Sequence, residues 1–323
     1  MLQIGDVKAK PGKVSFGRLN IGELREGTPF GLPVAAVNGA EDGPLLYVQA
    51  GSDGNELNGL AVVKEFIREL EPEELNGGIM IVSPLNFHGY QRAEHRNPLD
   101  NKKLNRTFPG EPGGSISERL SKAVFEYAKK SDIVLDLHQG GVSRMIDEVR
   151  VRVSKDHDLH DECMELAQVF GINYIFDKKG PDGQLARSAP DEGIPTIDPE
   201  LGGCVGWDED SVSKGVRGVF NVLYNYGFLE GEPDLPNSYT VVNDFENFYA
   251  NRGVLIDFQA DLYDEIKEGD AIFTITDLFG NELERVKSNV DGIFWRKPRL
   301  PMVATGESVC QIGLSPKEIT LNK

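Results

Sequence analysis

Hydrophobic positions along the chain recur with two different periods. Three short extended runs, Val14 to Leu19, Leu32 to Val37 and Leu45 to Gln49, are separated by clusters of Gly, Pro, Asn and Asp, which predicts strands joined by turns. From Asn58 to Leu70 the period changes. Leu60, Val63, Phe66, Ile67 and Leu70 recur at helical spacings, while Lys64, Glu65, Arg68 and Glu69 fill much of the other face, so the segment reads as a helix with one buried stripe. The run Ile79 to Leu85 is almost continuously apolar, as expected of a strand covered on both faces. Ser115 and Glu118 have capping-box spacing and predict a helix running to about Lys130. The apolar run DIVLDLH, Asp132 to His138, predicts the next strand. A helix near Asp161 to Phe170, a strand near Ile194 to Ile197 and a helix near Ser211 to Tyr226 continue the alternation. The pattern predicts a three-layer α/β domain with a largely parallel or mixed sheet.

The texture changes at Gly231 to Asn237, where Gly and Pro interrupt any period, and a boundary is expected there. Residues 1–235 then form the α/β domain, and residues 236–323 a small all-β domain of short extended pieces such as GVLIDF, AIFTITD and SVCQIG. A chain of 323 residues suits two domains. Its spacing of hairpins looks like that of lipoyl or biotinyl carrier barrels, but no modification lysine stands at a hairpin tip.

Composition narrows the function. With 34 basic and 52 acidic residues the formal charge is −18, and such a field repels phosphate backbones, so nucleic acid is excluded as a partner. No apolar run reaches the roughly 18 residues of a membrane span, and the N-terminus lacks the apolar core of a signal peptide. Three cysteines, Cys163, Cys204 and Cys310, without a CxxC pair, predict reduced thiols and a cytoplasmic location. Oligomeric state is not fixed by any of these features.

Ligands in α/β sheets gather beyond the carboxyl ends of strands. Three strand ends here carry suitable groups: Asp53 and Glu56 in a Gly-rich turn, His138 followed by Gln139, Gly140 and Gly141, and Glu200 followed by Gly202 and Gly203. Two carboxylates and one imidazole from separate strand ends make a plausible three-ligand metal site with room for water, and a third carboxylate could act as base.

These residues, with the entry segment Leu32 to Gly51, GNELNG, NPLDNKKLNRTFPG (Asn97 to Gly110), DLHQGG and IPTIDPELGG in that order, resemble the succinylglutamate desuccinylase and aspartoacylase family of the zinc carboxypeptidase-like fold group. The resemblance implies a metal-dependent amidohydrolase that cleaves the amide bond of an N-acyl amino acid or similar small carboxylate. It implies one zinc ion (Zn2+) per chain, with Glu56 and His138 among its ligands, Glu200 as the catalytic acid and base, Asn105 and Arg106 gripping a substrate carboxylate, and Arg96 polarising the scissile carbonyl. Asp53 stands where the family's H-x-x-E pattern has histidine, and it completes the ligand set. Two carboxylates and a neutral imidazole leave a divalent ion formally uncharged, which favours hard ions such as manganese (Mn2+) as alternatives. Lys103 replaces an acidic residue before the Leu-Asn-Arg triplet. Two other readings stay open: a metal-free pseudoenzyme that binds a small carboxylate, and a carboxypeptidase acting on short peptides.

Overall fold

Alternate side chains of the central strands face opposite sides of one sheet, and each side is covered by helices. Leu46, Val48, Ile79, Ile81 and Leu135 face a core shared with Val62 and Phe66 of the helix Asn58–Glu69, Leu166 and Phe170 of His160–Phe170, and Val219 and Leu223 of Glu209–Asn225. Tyr47, Met80, Val82 and Val134 face the other side, against Leu120, Val124 and Phe125 of the helix Ile116–Ala128. This period of two is what buries both faces of a sheet, and it makes the three layers. The helix Ile116–Ala128 begins at the capping box, where Glu118 Oε2 accepts from the Ser115 backbone N–H at 2.7 Å. The structure, a computed structural model, describes residues 1–320.

The sheet has ten strands and is mixed. At its centre Ile133–Leu137 lies between Glu41–Ala50 and Thr196–Glu200, parallel to both. Asn76–Val82 runs parallel to Glu41–Ala50, and Pro29–Asn38 and Lys13–Glu23 continue that side antiparallel. On the other side Glu148–Val151 runs antiparallel to Thr196–Glu200, which brings Glu148 opposite Glu200 and Arg150 opposite Asp198. Tyr174–Asp177, Ser238–Val242 and Lys317–Thr320 complete it. The strands Glu148–Val151 and Tyr174–Asp177 fall between the sequence-predicted helices, where the alternation was read without them.

Between Phe245 and Leu314 the chain forms two antiparallel sheets packed on each other around Phe248, Ile256, Ile272, Phe273, Phe294 and Ile312. One strand, Gly292–Lys297, also pairs with Arg144–Met145, so that Arg296 lies opposite Met145. That pairing ties the C-terminal strands to the edge of the cleft. Among the described residues no helix is long and apolar enough to cross a membrane, and the cysteines Cys163, Cys204 and Cys310 are unpaired.

Candidate active site

Three adjacent strands end at the same place. The strand Glu41–Ala50 leads through Gly51, at φ 69°, into Ser52 to Glu56. A Cβ on Gly54 would lie 2.2 Å from the Gly89 carbonyl carbon, so only glycine lets this turn press against the helix Phe87–Arg92. The turn closes with Glu56 N–H donating to the Asp53 carbonyl at 3.1 Å, which sets both carboxylates on one side. Next door, His138 and Glu200 extend the parallel pairing of their strands: His138 N–H donates to the Pro199 carbonyl and Leu201 N–H to the His138 carbonyl, each at 2.9 Å. Gln139 joins the strand ends to the helix start, its Oε1 accepting from the Leu57 and Asn58 N–H groups at 3.0 and 2.8 Å. It satisfies N–H groups that every helix start leaves without intrahelical partners.

Asp53, Glu56, His138 and Glu200 are 1, 5, 3 and 7% exposed. His138 Nδ1 stands 2.9 Å from Glu56 Oε2, and its Nε2 faces Asp136 Oδ2 at 3.2 Å, with Ser52 Oγ and Asn105 Nδ2 at 3.2 and 3.1 Å. Behind them Gln49 Nε2 donates to Asp136 Oδ1 at 2.8 Å and Tyr47 donates to Gln49. With a cation on Nδ1, Asp136 would hold the proton on Nε2, the arrangement common behind metal-ligating histidines. Burial followed by the charge of Asp53 pushes the Glu56 carboxyl up to about 8. Burial opposes the His138 imidazolium, but Asp136, Asp198 and Glu56 outweigh it and hold its pKa well above the ordinary value. Neighbouring carboxylates raise both groups, in Glu56 on top of burial, and such buried negative charge is relieved by a proton or a bound cation.

Glu200 is held at one oxygen only. Its Oε1 meets Arg150 Nη1 at 2.6 Å, while Oε2 is buried without a hydrogen-bond partner among the described residues. Arg150 also binds Glu148 Oε1 at 2.6 Å, and Glu148 Oε2 accepts from Trp295 Nε1 at 2.8 Å. Despite its own burial, Arg150 is kept firmly charged by Glu148, Glu200 and Asp198.

The loop between Glu94 and Gly110 supplies the opposite wall. Its short 3-10 turn Leu104–Arg106 delivers Asn105 to His138. Arg106 is exposed and its Nη1 donates to the Asn105 carbonyl; burial of part of the side chain lowers its pKa while Asp53, Asp198 and Glu200 act against that. Arg96 is exposed and donates to the Asn101 carbonyl at 3.0 Å, so its guanidinium is not brought onto the strand-end carboxylates. Lys103 Nζ lies 3.3 Å from Asp53 Oδ2, and His95 Nδ1 lies 3.7 Å from Asp53 Oδ1. A cavity of about 440 Å³ opens here, lined by Glu56, His95, Lys103, Arg150, Glu200 and Arg296 among others.

The donor set fits a divalent ion. Ligating atoms of Asp53, Glu56 and His95 lie within 4.8 Å of one another, Asp53 Oδ1 is buried without a hydrogen-bond partner, and His138 Nδ1 approaches Glu56 from the other side. Carboxylate oxygen and imidazole nitrogen are both accepted by zinc and manganese. The structure thus groups Asp53 and Glu56 with His95, while His138, the imidazole ligand expected from sequence, is placed against Glu56. His88, by contrast, packs against the rings of Phe30 and Phe87.

Reading strand ends alone missed Asp136, Asp198, Glu148, Arg150 and Arg296. Asp136 and Asp198 had a visible signal, a carboxylate inside an otherwise apolar strand, since buried acids are rarely left unpaired. Arg150 and Arg152 also had one, the alternation of EVRVRV from Glu148 to Val153, which puts both guanidiniums on one face of a strand.

Comparison with known proteins agrees with this geometry. The family model for the succinylglutamate desuccinylase/aspartoacylase catalytic domain matches residues 42–226. An N-alpha-acetyl-L-2,4-diaminobutyric acid deacetylase from Halomonas elongata is 27% identical over 293 residues, 87% of this chain and 85% of the relative. The crystal structure of a succinylglutamate desuccinylase from a Silicibacter species superposes with a TM-score of 0.86 at 20% identity, covering 97% of this chain and 99% of that one. The product-bound structure of the ectoine utilization protein EutE from Ruegeria pomeroyi gives 0.85 at 20% identity, covering 97% and 100%.

Proposed function

The chain belongs to the succinylglutamate desuccinylase/aspartoacylase family, and from that premise we propose that it is a metal-dependent amidohydrolase that removes a small acyl group from an N-acyl amino acid. Amide-bond deacylation is supported by the deacetylase relative, which spans most of both chains. The observation that carries the hydrolytic reading is Glu200: one carboxylate oxygen clamped by Arg150, the other buried, partnerless and at the edge of the cavity.

In this reading Asp53, Glu56 and His138 hold one zinc ion, with manganese as an alternative. A bound zinc ion supplies Lewis acidity and lowers the pKa of a water toward about 7. Glu200 Oε2 takes a proton from the attacking water and delivers it to the leaving amine nitrogen, the ordinary work of a carboxylate acting first as base and then as acid. Arg150 fixes the orientation of Glu200 through Oε1. Asp136 fixes the His138 tautomer, and Asn105 lies against the same ring. Arg106 lies on the same 3-10 turn as Asn105, with its guanidinium on the Asn105 carbonyl. The acidic surplus argues against a nucleic-acid partner, and a cytoplasmic setting suits the free cysteines.

The Glu200→Gln variant tests the reading. Zinc-loaded enzyme assayed on N-acetyl-L-2,4-diaminobutyrate and other N-acyl amino acids is expected to lose roughly 1,000-fold in kcat, within the range of general acid–base effects, with substrate affinity nearly unchanged. A wild-type protein that binds these compounds and turns none over is instead a carboxylate-binding pseudoenzyme, the reading that the Asp53 and Lys103 pair would then favour.

A further inference from the structure

Three cations line the cavity, and two of them are already neutralised. Lys103 is paired with Asp53, and Arg150 with both Glu148 and Glu200. Arg296 is different. Among the described residues its guanidinium forms no ion pair, and Nη2 donates only to the Ser143 hydroxyl, at 2.7 Å. The side chain is partly buried, and burial, followed by the nearby charge of Arg150, holds its pKa below the usual arginine value. A partly desolvated cation without a counter-ion is costly, and the cost is recovered when an anion arrives.

The placement of Arg296 is built by the fold. The strand Gly292–Lys297 pairs with Arg144–Met145 on one side and Ser308–Leu314 on the other, where the register shifts between Phe294 and Arg296. Trp295 goes inward to Glu148, and Arg296 joins the lining shared by Glu56 and Glu200. Gly140 and Gly141 beside it leave room for a ligand to come close. We propose that Arg296, a residue of the C-terminal strands, anchors the substrate carboxylate, so that the acid is preferred to its neutral carboxamide. The fork of a guanidinium pairs bidentately with a carboxylate, so it fixes orientation as well as charge. The inference rests on the hydrolase reading above for its substrate class, and it takes the anchoring role from Arg106, whose guanidinium is turned onto the Asn105 carbonyl.

The test compares N-acetyl-L-2,4-diaminobutyrate with its carboxamide on wild type and on the Arg296→Gln, Arg296→Lys and Arg106→Gln variants. Wild type prefers the acid. Arg296→Gln is expected to reduce that preference about 10- to 100-fold, chiefly through KM, because a charge-assisted contact is lost. Arg296→Lys restores part of it, and also reads the site should the Gln variant fold poorly. Arg106→Gln leaves the ratio within a few-fold. An unchanged ratio in Arg296→Gln, or a collapse confined to Arg106→Gln, overturns the proposal. If wild type hydrolyses neither compound the hydrolase reading fails, and calorimetric titration still decides the anchor: tighter binding of the acid that is lost in Arg296→Gln supports it, and equal binding of acid and carboxamide overturns it.

Discussion

On the strand-end side of the cleft, Glu56, His138 and Glu200 are held by sheet register and by partners buried behind them, whereas on the loop side Arg96 and Arg106 turn their guanidiniums onto main-chain carbonyls of their own segment. The two sides differ in what fixes a charged group. His138 and Glu200 are neighbours because two parallel strands pair, and their side chains are oriented by Asp136 and Arg150. Arg96 has no such support. The difference predicts that substitutions behind the strand ends reach far into the site and that those on the loop do not. Lys103, His95 and Asn105 are the exceptions on the loop side, since the first two reach Asp53 and the third reaches His138.

The sharpest way to break this comparison is to remove the support and leave the ligands. Asp136→Asn replaces the group that holds the proton on His138 Nε2. An outer partner of a ligating histidine is worth about 10- to 100-fold in metal affinity, so zinc should bind weaker by that factor in a calorimetric titration of the stripped protein. Unchanged zinc affinity would mean that His138 is oriented by Ser52 and Asn105 alone.

The next effect is on stability, and its sign follows from Glu56. Its carboxyl is raised from 4.5 to about 8 by burial and by Asp53. A group raised on folding contributes stability that is complete below its unfolded pKa and is lost as pH climbs through the folded one. His138, also raised, acts in the same direction. Chelator-treated protein should therefore lose stability between about pH 5 and pH 9, and the Glu56→Gln variant should lose less, with a difference in Tm of about 5 °C across that range. Parallel melting curves for the two proteins would show that the buried negative charge is relieved elsewhere, for example by Lys103.

How much of this was legible in the sequence follows the same division. The three-layer sheet and the positions of Glu56, His138 and Glu200 could be read because apolar period and strand ends are local features. Asp136 and Asp198 were equally local but sat inside strand runs, where attention to their ends passes over them. Glu148 and Arg150 were hidden because a short strand of alternating charge looks like surface until its antiparallel partner, Thr196–Glu200, is known. Arg296 carried no signal at all. Its place in the cleft depends on a strand from the C-terminal sheets pairing with Arg144–Met145, a contact between segments about 150 residues apart that no periodicity encodes.

The smallest expected effect belongs to Arg96, and it bears directly on the loop side. Its guanidinium is exposed and satisfied by the Asn101 carbonyl, and substitutions at such surface positions usually cost within about 0.5 kcal/mol of stability. If the loop stays as it is when substrate enters, Arg96→Ala should change kcat by less than about 3-fold, because a group that does not touch the scissile carbonyl cannot stabilise its developing charge. A loss of roughly 100-fold or more, with KM little altered, is the size of effect that removing an oxyanion donor produces. It would mean that the loop from Glu94 to Gly110 rearranges on binding, exchanging the Asn101 carbonyl for the substrate. The loop side would then be as strictly organised as the strand ends, but only in the complex, and the asymmetry of the cleft would be a property of the free protein.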